Sequence, residues 1–112
     1  MADDVRPPHE LQQPLHSRIG DELIELTPEH WRAIKLAVVR TAGRAEALDA
    51  FGCTITSMEG HPEAIVPSNE LAAMIQELYI LFVEHGAQWQ SAEYYVRAMP
   101  DDAWNVVADF HY

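Results

Sequence analysis

Ser91-Ala92-Glu93-Tyr94-Tyr95-Val96-Arg97-Ala98 and Trp104-Asn105-Val106-Val107-Ala108-Asp109-Phe110-His111 decide how this chain folds. In the second stretch, extended to Tyr112, every second residue is apolar: Trp104, Val106, Ala108, Phe110 and Tyr112. Asn105, Asp109 and His111 point the other way, which is the two-residue period of a strand with one buried face. The first stretch offers Ala92, Tyr94, Val96 and Ala98 as its inward set. Matching the two faces pairs Val96 with Val106 and Tyr94 with Ala108, which requires an odd-length loop about Asp101. A slip of one residue would bury Glu93 and Arg97.

Upstream of this hairpin the period changes to that of a helix. Leu71, Met74, Ile75, Leu78, Tyr79 and Phe82 recur at spacings of three and four, with Ser68 as N-cap, His85-Gly86 as the stop, and Glu70, Glu77 and Glu84 on the opposite face. A second stripe, Leu11, Leu15, Ile19, Leu23 and Leu26, predicts an earlier helix. Pro14 fits only its first turn, so its regular part spans 14–26. Residues 1–10, with Pro7 and Pro8, read as a loose arm ahead of a single domain over 11–112. Between the helices the pattern is ambiguous. Thr27-Pro28-Glu29 is a good helix start, yet Ile34, Leu36 and Val38 alternate with Ala33, Lys35, Ala37 and Val39 as in a strand. Thr41-Ala42-Gly43-Arg44 reads as a turn. Residues 45–50 favour helix by propensity and strand only loosely, Cys53 to Met58 alternates like a strand, and 59–67 is a loop that breaks the sheet.

Charge is distributed very unevenly. The 52 residues from Ala45 to Val96 hold eight carboxylates (Glu46, Asp49, Glu59, Glu63, Glu70, Glu77, Glu84, Glu93) and neither lysine nor arginine, within a chain of net charge −11. Residues 45–112 balance to −10 and residues 1–44 to −1. Such a surface repels phosphate backbones and anionic headgroups, so direct nucleic-acid or membrane binding is not expected, and a basic protein is the natural partner. Cys53 is the only cysteine, so no internal disulfide forms. No apolar run resembles a signal peptide or a membrane span, and cytoplasmic residence is expected.

Two segments carry a family resemblance. Ile19-Gly20-Asp21-Glu22-Leu23-Ile24-Glu25-Leu26-Thr27-Pro28-Glu29-His30-Trp31, followed by alternating residues, resembles the opening of the YezG-type immunity proteins, in which a first helix meets a Pro-x-x-Trp step before a strand. Gly86-Ala87-Gln88-Trp89-Gln90-Ser91-Ala92, then Pro100-Asp101-Asp102 and Asp109-Phe110-His111-Tyr112, is similar to that family's closing hairpin. The resemblance covers about 95 residues. It implies a strand over 31–41 and a function as an antitoxin that binds a bacterial toxin, commonly a nuclease. The chain departs from the family in lacking a further segment after the last strand and in carrying Asp102 where the family has glycine. Leu26-Thr27-Pro28-Glu29-His30-Trp31 also resembles a helix start in small sulfur-carrier proteins, but those need a reactive cysteine near a basic C-terminus, which Asp109-Phe110-His111-Tyr112 does not supply.

Catalytic chemistry finds little footing. His9, His16, His30, His61, His85 and His111 form no His-x-x-x-His pattern, so no metal or cofactor is expected. Ser57 and Ser91 lack a strained nucleophile elbow, the five glycines form no phosphate loop, and Cys53 reads as buried and inert. The expected architecture is α+β: a four-stranded, mainly antiparallel sheet with helices 14–26 and 69–85 on one face. The expected function is a non-enzymatic immunity protein. Its candidate partner-binding residues are Glu59, Glu63, Glu70, Glu77, Glu84, Trp89, Glu93 and Tyr95, placed against a basic toxin domain. The alternative is a small acidic adaptor that binds another protein or forms a homodimer.

Overall fold

The computed structural model describes residues 7–40, 51–101 and 103–112. Its elements run α1 (His9–Leu26), β1 (Ala33–Arg40), β2 (Phe51–Ser57), α2 (Asn69–Glu84), β3 (Ser91–Ala98) and β4 (Trp104–His111). The four strands form one antiparallel sheet in the order β2-β1-β3-β4, an α+β fold with both helices on the same face. The expected turn at 41–44 and the ambiguous stretch 45–50 lie outside the described residues.

The closing hairpin has the anticipated register. Val96 faces Val106 and Tyr94 faces Ala108, and the loop closes with the Met99 amide donating to the Ala103 carbonyl at 2.7 Å. The alternation of 33–39 also resolves to strand. Ile34, Leu36 and Val38 are buried under the helices, each contributing roughly 1.5–3 kcal/mol by leaving water. Thr27 therefore does not start a second helix. Its hydroxyl donates to the Leu23 carbonyl at 2.9 Å and satisfies the C-terminal end of α1, after which Pro28 prevents continuation.

The start of α1 corrects the expected boundary. The helix begins at His9, so Pro14 lies inside it, and Pro7 is buried, which ends any loose arm before that residue. The physical reason is that only the first four amides of a helix lack internal partners, so Pro14, the sixth residue, forfeits a single bond. Leu15, Ile19 and Leu23 bury fully enough to outweigh that loss, whereas Leu11 remains 49% exposed and is not part of the core stripe. Farther along, Gly20 passes so close to β4 that an added Cβ would stand 2.8 Å from Val106 Cγ2. Glycine here permits a helix–strand approach that alanine would obstruct.

The second helix follows its sequence signals closely. Ser68 Oγ accepts from the Leu71 amide at 3.0 Å, and Gly86 takes φ 88° just past the His85 cap. Its inner face joins an aromatic cluster of Phe51, Tyr79, Phe82, Trp89 and Phe110, with ring centroids 4.7–5.8 Å apart. Trp89, one of the candidate partner-binding residues, is 0% exposed and belongs to the core instead. It precedes β3, so the alternation of the strand does not govern it, and its indole turns into the gap between α2 and the sheet.

Candidate protein-interaction surface

The two layers divide the charge. Helices α1 and α2 carry seven acids (Glu10, Asp21, Glu22, Glu25, Glu70, Glu77, Glu84) against Arg18, a net of −6. The outward residues of the sheet include Lys35 and Arg97 against Glu93 and Asp109, which cancel. From the anionic half of the sequence, α2 takes Glu70, Glu77 and Glu84; the other four helix acids belong to α1, although residues 1–44 nearly balance.

The helices run antiparallel, tied by Ser68 Oγ donating to Glu22 Oε2 at 2.6 Å and by Arg18 lying 3.5 Å from Glu77. That ion pair is more than half exposed and contributes little to stability. Between the helices lies a shallow groove of about 390 Å³ with Leu11, Pro14, Ile80 and Leu81 along it and Glu77 and Glu84 at its rim. Ile80 and Val83 stay partly exposed on α2. Apolar ground bordered by carboxylates suits a basic amphipathic partner.

The outer sheet face lies on the opposite side and has a different character. In register across it run Thr56, Lys35, Tyr95 and Val107, then Thr54, Ala37, Glu93 and Asp109. Glu93 and Asp109 face each other directly, a like-charge pairing that destabilises a sheet unless countered. Countering groups are present: Tyr95 donates to Glu93 at 2.9 Å, His111 stands 3.5 Å away and Lys35 4.0 Å. The Tyr95 hydroxyl first, then His111 and Lys35, hold the Glu93 carboxyl below its ordinary range, and the same bond raises Tyr95. Glu93 and Tyr95 therefore satisfy each other, and neither presents an unpaired charge.

Glu59 and Glu63 are likewise engaged. The Arg32 amide donates to Glu59 at 2.8 Å, and the Trp31 indole donates to Glu63 at 3.2 Å. Of the eight candidates, Glu70, Glu77 and Glu84 share the exposed face of α2. Glu59 and Glu63 sit at one end of the sheet, Glu93 and Tyr95 line its outer face, and Trp89 is core. The structure does not bring them into one surface. Sequence reasoning passed over Asp21 and Glu25, which are exposed on α1; the α1 apolar stripe already implied an outer face holding them.

Cys53 is half-buried on the inner side of β2, and burial pushes its thiol up to about 11 from 9.0. With so little thiolate at pH 8, alkylation of the folded chain by iodoacetamide should run roughly 100-fold slower than in denaturant. Comparable rates in both conditions would show that the thiol is accessible and reactive. No described helix is long and apolar enough to cross a membrane. No protein-family model and no curated protein matches this chain.

Proposed function

We propose that the chain is a binding protein of the immunity type, which holds a basic partner, a toxin domain of the nuclease class, against its helix layer and so occludes it. The observation that carries this reading is the segregation of charge: a net of −6 on two helices whose shared groove is apolar, backed by a sheet face that is neutral. Such a field accelerates encounter with a cationic cleft and fixes orientation, while the groove supplies the contact area. The resemblance to YezG-type immunity proteins supplies the toxin as partner class.

A second reading rests on β4, which among the described residues has no neighbour on its far side. Its odd-numbered residues bond to β3, as the Met99–Ala103 pair fixes, so Trp104, Val106, Ala108 and Phe110 direct their backbone groups away from the sheet. An open edge of this kind is a template for strand addition, and two copies pairing through it would give a homodimeric adaptor.

Mixing the chain with basic nuclease domains separates the two. The immunity reading expects tight association that blocks cleavage and slows with added salt. Glu77→Lys with Glu84→Lys should reduce the on-rate roughly 10-fold, and Glu93→Lys, on the other side, should leave it within about 2-fold. Salt-insensitive binding, or a larger loss from Glu93→Lys, would move the contact off the helices. Self-association in sedimentation with no nuclease bound would favour the adaptor, and turnover of any substrate would defeat both.

A further inference from the structure

The fold gathers two histidines and two glutamates that lie far apart in sequence. His30, in the connection from α1 to β1, meets His61, Glu59 and Glu63 from the loop between β2 and α2. His30 Nε2 is 2.9 Å from Glu63 Oε2, His61 Nε2 is 3.3 Å from Glu59 Oε1, and the two imidazoles stand perpendicular with centroids 4.7 Å apart. One donor atom from each of His30, His61 and Glu63 lies within 4.8 Å of the others.

The surroundings of this group are more than a chance meeting of exposed side chains. Trp31, 1% exposed and anchored in the core, donates its indole N–H to Glu63 Oε1 and so leaves Oε2 turned to His30. The same indole stacks beneath His61, with planes 21° apart and centroids at 6.0 Å. Glu59 is fixed in turn by the Arg32 amide, and its own amide donates to Ser57 Oγ at 3.0 Å. The Ile55–Ile65 bridge holds the far side of the loop against β2.

We propose that His30, His61 and Glu63 form a binding site for a late first-row divalent cation of the zinc class. Imidazole nitrogens with one carboxylate oxygen select such ions over calcium or magnesium, which demand all-oxygen shells. Bonds of about 2.0–2.1 Å in a tetrahedron place ligand atoms roughly 3.3 Å apart, so the present separations close by rotations of partly exposed side chains. The cation takes the place of the proton between His30 and Glu63. With Nε2 of His61 turned to Glu59, Nδ1 is the nitrogen left for the metal, and Glu59 becomes the outer carboxylate that orients a ligating imidazole. The fourth position belongs to water or to a partner's side chain.

Titrating the intact chain with Co²⁺ tests this directly. The visible bands of four-coordinate cobalt should appear with one equivalent, vanish on adding Zn²⁺, and be lost in His61→Ala and in Glu63→Gln. Glu59→Gln should weaken the affinity by roughly 10-fold to 100-fold, and His111→Ala should change nothing. Far-UV circular dichroism confirms that each variant is folded, which is expected because Glu59, His61 and Glu63 lie in a loop and His111 is an exposed residue at the end of β4. Zn²⁺ should also raise the melting temperature of the parent chain and not that of His61→Ala. No cobalt bands and no zinc-dependent melting shift in the parent chain, or the same binding in His61→Ala and Glu63→Gln as in the parent, would overturn the site. Neither result depends on the partner proposed above.

Discussion

Replacing Trp89 with alanine should lower the stability of the domain by about 3–5 kcal/mol, read as a shift in urea midpoint. Domains of this size are stable by roughly 5–15 kcal/mol, so the variant would stand close to the folding threshold. The indole is 0% exposed and touches Phe51, Tyr79 and Phe110, so its removal leaves a cavity walled by rings that rigid strands and α2 hold apart. Its Nε1 has no hydrogen-bond partner among the described residues. Trp89→Phe deletes that unpaired donor along with part of the ring and should cost less than about 2 kcal/mol. A Trp89→Ala chain that kept its midpoint and lost only partner binding would restore the role as an exposed anchor that the sequence alone suggests.

The misplacement of Trp89 shows where sequence reading stops. Inside a strand the two-residue period is strict, so Tyr94, Val96, Val106 and Ala108 could be assigned a face and a register from pattern alone. Trp89 lies two positions ahead of β3, where the chain is still turning from Gly86, and parity does not extend across that turn. The start of α1 failed for a related reason. Pro14 reads as a boundary because proline removes one helical bond, but whether that loss is decisive depends on how much Leu15, Ile19 and Leu23 bury, which is a tertiary quantity. Among the candidate site residues, Glu70, Glu77 and Glu84 were legible because a helix with one core face must present the other. The grouping of His30 with His61 was not, since 31 positions separate them and only the β1–β2 pairing brings the two loops to one end of the sheet. Likewise a run of carboxylates along the chain gives no sign that Lys35, from the other half of the sequence, will lie beside Glu93 and neutralise it.

Acid should weaken this domain through His16, in a window set by burial. The ring is 8% exposed on α1, and Tyr94 donates to its Nδ1 at 2.7 Å. The far nitrogen, Nε2, then carries the hydrogen and donates to Gln12 Oε1 at 3.0 Å; Gln12 is held in that sense because its amide nitrogen donates to the Pro7 carbonyl at 2.7 Å. A second proton on the imidazole would leave Nδ1 facing a hydroxyl that is already a donor. Burial, with a smaller effect from His9, therefore lowers the His16 pKa from 6.5 to about 4. Because the folded value lies below the unfolded one, the unfolded chain takes up the proton first. The contribution is complete above pH 6.5, declines as the pH falls toward 4, and is spent below that. The full shift would correspond to about 3 kcal/mol, which the open groove beside Pro7 and Phe110 reduces to about 2. The measurement is the difference in unfolding free energy between the parent chain and His16→Gln across pH 7 to 4, so that the carboxylates common to both cancel. That difference should move by about 2 kcal/mol against the parent chain as the pH falls. A flat difference would mean that His16 accepts its proton inside the folded domain as readily as outside it, and that the hydrogen-bonded chain from Tyr94 to Pro7 does not fix its neutral form.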